Sequence, residues 1–70
     1  MPFLLEVTMN RLKEIRFFKM INQHKLALMA EVHQSRISLI ENDLIEPRPD
    51  ELKKLSKALG VTPQDLFRVD

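Results

Sequence analysis

The chain has 70 residues, 44% of them hydrophobic and 30% charged, with a formal net charge of +1. That length holds one domain, the mix of apolar and charged residues excludes a disordered tail, and a charge so near zero does not by itself announce a nucleic-acid binder. Cysteine is absent, which excludes disulfides and thiolate metal sites, and no apolar run approaches the roughly 18 residues a membrane span requires.

The opening Met1-Pro2-Phe3-Leu4-Leu5 is apolar, but Glu6 interrupts it and no basic residue precedes it. It does not read as a secretory signal, so the expected location is cytoplasmic. Residues 1–9 show no clear period and read either as a strand-like arm or as an apolar tail on the body. Strands are otherwise not expected. Glycine occurs once, Trp and Tyr are absent, and no Asn-Gly or Asp-Gly marks a hairpin.

Five short helices follow in chain order. Asn10 is an N-cap for the first, with Leu12, Ile15 and Phe18 on one face and Arg11, Lys13, Arg16 and Lys19 as a basic flank. Asn22 caps the second, which runs from Gln23 to Ala30. Its Leu26, Ala27 and Ala30 form an inner face small enough for close approach of a third helix. Glu31-Val32-His33 breaks the pattern. In the third helix, over residues 33–42, Ile37 and Ile40 point inward. Gln34, Ser35, Ser38 and Leu39 lie opposite, at roughly 0°, 100°, 40° and 140° around the axis. That surface is small and uncharged, whereas a merely solvated face is usually charged. Pro47-Arg48-Pro49 closes a loop, and Pro49 opens a fourth helix with Asp50 and Glu51 at the positive end of its dipole. Leu52, Leu55, Ala58 and Leu59 form its buried stripe, and Gly60 stops it. Thr62-Pro63-Gln64-Asp65 starts a fifth helix that ends at Phe67.

The second and third helices, joined by about three residues, have helix-turn-helix spacing. The run from Asn22 to Asn42 resembles the Cro and phage-repressor type of helix-turn-helix, the XRE family. Leu52 to Phe67 resembles that family's closing helices, and with Arg11 to Arg16 the resemblance covers residues 10–67. It implies an all-α, five-helix, lambda-repressor-like domain, with an arm at 1–9 and a tail at 68–70. It further implies that Gln23 grips a DNA phosphate and that Gln34 reads adenine while braced by Gln23. Ser35, Ser38 and Leu39 match other groove-facing positions, and Asn42 a backbone contact. Arg16 and Glu41 match a largely buried ion pair. Three places depart from the pattern: Glu31 and Asp43 stand where glycine is usual, and Leu44-Ile45-Glu46 replaces a loop that often carries basic residues.

The chemistry of these residue types agrees with that assignment. A Gln carboxamide pairs with N6 and N7 of adenine, serine hydroxyls take either role, and leucine meets a thymine methyl. Residues 10–42 carry a net +3 and residues 43–70 a net −1, so charge gathers in the half with the recognition helix. Arg36, Lys25 and Lys13 are the expected phosphate neighbours. His24, Glu31 and His33 lack the spacing of ligands on one helix face, so neither metal nor cofactor is expected. No nucleophile–base arrangement or paired carboxylate stands out, so an enzyme is not expected. Met1 to Val7, Phe17, Leu44 and Ile45 exceed the needs of the core and point to a homodimer contact. The expected function is a DNA-binding transcriptional regulator, chiefly a repressor, acting as a dimer on a palindromic operator in double-stranded DNA. The alternative is a protein-interaction module of the same fold, such as an antitoxin-type partner.

Overall fold

Helix signals spaced through the sequence each close on a local structure, and together they wrap one apolar core. The computed structural model describes residues 7–69 of the chain, so the arm residues 1–6 and the last residue of the tail lie outside it. The element order is β1 (Val7–Asn10), α1 (Leu12–Phe18), α2 (Gln23–Ala30), α3 (Gln34–Glu41), α4 (Pro49–Leu59), α5 (Pro63–Leu66) and β2 (Phe67–Val69). The five helices are those expected.

A short antiparallel pair is added to them. β1 and β2 join Val7 to Val69, Met9 to Arg68 and Asn10 to Phe67, with an irregularity between Val7 and Met9. No hairpin dipeptide marks this pair because its strands come from opposite ends of the described chain. Phe67 therefore belongs to a strand, and α5 ends one residue earlier, at Leu66.

Asn10 sits one residue before the cap of α1, a position Arg11 occupies. Its side chain still serves the helix start, accepting from the Leu12 N–H at 3.1 Å. Its amide nitrogen donates to the Ile40 carbonyl and to Asp43 Oδ1, both at 2.8 Å, which fastens β1 to the end of α3. Asn22 caps α2 by accepting from the Lys25 N–H at 2.8 Å. Thr62 and Asp65 form a reciprocal capping box on α5. Gly60 ends α4 at φ +71°, a left-handed conformation that glycine adopts without Cβ strain.

Leu12, Leu26, Ile37, Ile40, Leu55 and Leu66 are fully buried, with Ile15, Ala30, Val32, Leu59 and Phe67 packed around them. Phe18 does not join this core and is 82% exposed. Six residues at 100° each carry it about 120° around the helix from Leu12. Arg16, only about 40° from Leu12 by the same count, takes the buried side instead.

Candidate nucleic-acid interface

The turn between α2 and α3 sets the geometry of the site. Glu31 caps α2 in the left-handed region, at φ 58° and ψ 43°, and its N–H donates to the Ala27 carbonyl. The Val32 N–H donates to the same carbonyl at 3.2 Å. Val32 drops into the core, so the chain reverses within three residues and α3 starts at Gln34.

Gln23 and Gln34 each open a helix. The Gln34 Nε2 donates to Gln23 Oε1 at 3.5 Å, and the Gln23 Nε2 donates to Glu41 Oε1 at 2.9 Å. Glu41 accepts from Arg16 at both oxygens, from Nε at 2.6 Å and from Nη2 at 3.1 Å. These two side chains are 5% and 1% exposed, Arg16 first. The third Arg16 nitrogen donates to the Ile21 carbonyl at 3.0 Å, and the guanidinium carbon lies 4.6 Å from the Phe17 ring centroid. Among the described residues no buried side-chain polar atom lacks a partner.

Gln34, Ser35 and Leu39 are exposed on α3, and Ser38 is half-buried. Asn42 donates from its side chain to the Ser38 carbonyl at 2.9 Å, one turn back. Lys13 and Lys25 are exposed and, among the described residues, make no ion pair.

Arg36, expected beside a phosphate, lies against the Glu51 carboxylate in the free chain. Its Nε and Nη2 both donate to the Glu51 carboxylate, the latter at 2.8 Å. Glu51 also accepts from the Arg48 N–H at 2.9 Å, which closes the start of α4. The Arg36 hydrogen bond above all, aided by the Arg48 N–H and by both positive charges, holds the Glu51 carboxyl below the usual carboxylate range, although burial opposes this. The same pair raises the pKa of Arg36. Sequence reasoning placed Glu51 at the helix dipole and missed this partner, which stands 15 residues away in sequence. It missed the Gln23–Glu41 bond as well.

His24, Glu31, His33 and Gln34 line one shallow groove beside the turn. Among the described residues no group of three His, Asp or Glu side chains is placed to hold a metal. No described helix is long and apolar enough to cross a membrane.

A family model described as Helix-turn-helix matches residues 12–66. Control protein C.BamHI of Bacillus amyloliquefaciens is 40% identical over 58 residues, spanning 81% of this chain and 72% of that protein. The restriction-modification controller protein C.AhdI from Aeromonas hydrophila has a similar structure, with a TM-score of 0.78 at 30% identity over 81% of this chain and 86% of that one. The P22 c2 repressor protein, in complex with a synthetic operator, has a TM-score of 0.78 at 35% identity over 86% of this chain and 91% of its own. The chain belongs to the XRE-type helix-turn-helix family and is a DNA-binding transcription regulator, not an enzyme.

Proposed function

We propose that the chain acts as a homodimer on a palindromic operator, with α3 of each protomer in the major groove, and that it represses by blocking polymerase. Gln34, Ser35, Ser38 and Leu39 read base edges. Gln23, Asn42, Lys25 and Lys13 hold the phosphates. The observation that carries this is the exposed, uncharged face of α3, whose first side chain is tied through Gln23 to a buried ion pair. A base-reading side chain needs such support, because a loose amide loses conformational freedom on binding. The relatives include a restriction-modification controller, so genes of that kind are the first targets to try. The cytoplasm is the location such work requires.

Selection of bound sequences from a random DNA pool tests the proposal. It should return a palindrome with half-sites about one helical turn apart, roughly 34 Å. Light scattering should give two protomers per duplex. Unselective binding, or one protomer per duplex, would sink it. The interaction-module alternative draws support from the loop after α3, where Leu44 is 69% exposed and Glu46 is also exposed. It predicts that no duplex sequence is preferred over another in gel shifts at low salt.

A further inference from the structure

Arg16, Glu41, Gln23 and Gln34 form one chain of hydrogen bonds from the core to the exposed start of α3. A carboxylate has no hydrogen to offer, so whatever faces it must donate. Gln23 therefore turns its amide nitrogen to Glu41 Oε1. Its carbonyl oxygen is left for Gln34, whose Nε2 lies 3.5 Å away, longer than the usual range of about 2.7–3.2 Å and so a weak contact that a small side-chain shift would tighten. Reversing Gln34 alone would set two carbonyl oxygens against each other. Reversing Gln23 as well would set a carbonyl oxygen against the carboxylate. One buried acid thus fixes the sense of the Gln23 amide and, through it, favours one sense of the Gln34 amide.

That sense matters in the major groove. Adenine shows a donor and an acceptor side by side, and a glutamine meets both only when its oxygen and nitrogen face the matching atoms. An amide free to turn over offers both orders, whereas an amide held in one sense offers one. The geometry points to Glu41 as a positioning residue for base recognition. Through Gln23 it biases which end of the Gln34 amide, oxygen or nitrogen, meets each atom of the base edge. This rests on the base-reading role proposed above for Gln34. The Glu41 side chain is 1% exposed and acts only through Gln23, and the readout that separates it from mere fold support is discrimination at one base pair.

The test uses the full chain, a duplex it selects from a random pool, and duplexes bearing each other base pair at the position where Gln34→Ala flattens discrimination. The variants are Glu41→Gln and the double variant Arg16→Met with Glu41→Gln. The double variant leaves no lone buried arginine and decides the matter if the single one does not fold. An amide at position 41 can accept or donate, so Gln23 loses its fixed sense. Both variants, shown folded by circular dichroism, should lose about fivefold or more of the discrimination at that base pair. They should keep discrimination elsewhere in the site and leave the salt dependence of binding unchanged. Adding either to Gln34→Ala should change discrimination no further. A uniform loss of affinity, with discrimination at that pair intact, overturns the relay while base reading by Gln34 stands. If Gln34→Ala flattens no base pair, the base-reading role falls and the relay falls with it.

Discussion

Two arginine–glutamate pairs tie α3 into the fold, and they differ in depth and in what they brace. Arg16–Glu41 joins α1 to α3 with side chains 5% and 1% exposed, whereas Arg36–Glu51 joins α3 to α4 at 27% and 7%. The deeper carboxylate gives its remaining capacity to a side chain, Gln23, which leads outward to the recognition surface. The shallower one gives it to a backbone N–H, that of Arg48, which closes a helix end. The same chemical pair therefore supports a site in one place and a helix terminus in the other. Depth decides how much each resists being broken, because an uncompensated charge is most unfavourable where water cannot reach it.

The largest expected effect follows from that difference. Glu41→Ala strands Arg16 in the core and should destabilise the domain by about 3–5 kcal/mol, much of what a domain this small possesses. Replacing Arg16 and Glu41 together with apolar residues of similar volume should recover most of the loss. Urea unfolding of the three proteins checks this. A double variant no more stable than Glu41→Ala would mean that specific hydrogen bonds, not the lone charge, set the penalty.

The second effect is smaller and depends on pH. The folded-state pKa of Glu51 is lowered, chiefly by Arg36, so the pair's contribution is present above the unfolded carboxylate pKa of about 4.3. It is lost as pH falls through the lower folded value. Glu51→Gln should therefore lower the melting temperature at neutral pH, by less than Glu41→Ala does. Its difference from the parent should shrink as pH falls below about 4.3. Melting curves between neutral and strongly acidic pH measure it. A difference that stays constant with pH would show that packing, not charge, is what Glu51 supplies.

The two pairs also mark how far the sequence was legible. Helix starts and stops came from Asn22, Pro49, Gly60 and Thr62, whose signals act within one turn and so survive in a linear reading. The Arg16–Glu41 pairing entered through resemblance, since a separation of 25 residues carries no local period. Arg36–Glu51 and the β1–β2 pairing had neither a local signal nor a family pattern to carry them. Phe18 leaves the face of Leu12 and Ile15 because a spacing of six residues approximates a helical face only loosely, and Arg16 holds the buried arc. Which partners a charged side chain finds in the free chain is set in three dimensions, and Arg36, whose carboxylate stands 15 residues away, is the instance.

A third expected effect concerns the turn between α2 and α3. Glu31 holds φ 58°, close to the φ of Gly60 at the end of α4. A residue with a Cβ is strained there by about 1 kcal/mol relative to glycine. Glu31→Gly should raise the melting temperature by a few degrees, partly offset by the greater freedom of glycine in the unfolded chain. Differential scanning calorimetry would detect it. An unchanged or lower melting temperature would mean that the Glu31 side chain contributes more than its strain removes.

The smallest effect decides whether the shallower pair ever leaves its post. Each phosphate neutralised by a cation contributes about 0.9 to the slope of log affinity against log salt. Lys25 makes no ion pair among the described residues, so Lys25→Met should lower that slope by about 0.9 per subunit if it meets a phosphate. Arg36 faces Glu51 and forms two hydrogen bonds with it. Removing Arg36 alone would expose an unpaired carboxylate near the DNA and blur the measurement. The double variant Arg36→Met with Glu51→Gln removes one charge of each sign and leaves the net charge unaltered. Its slope on the selected operator should match that of the parent, because the guanidinium stays on its carboxylate. A drop of about 0.9 per subunit would instead show that Arg36 trades Glu51 for a phosphate on binding, which would make the pair between α3 and α4 a latch that DNA opens.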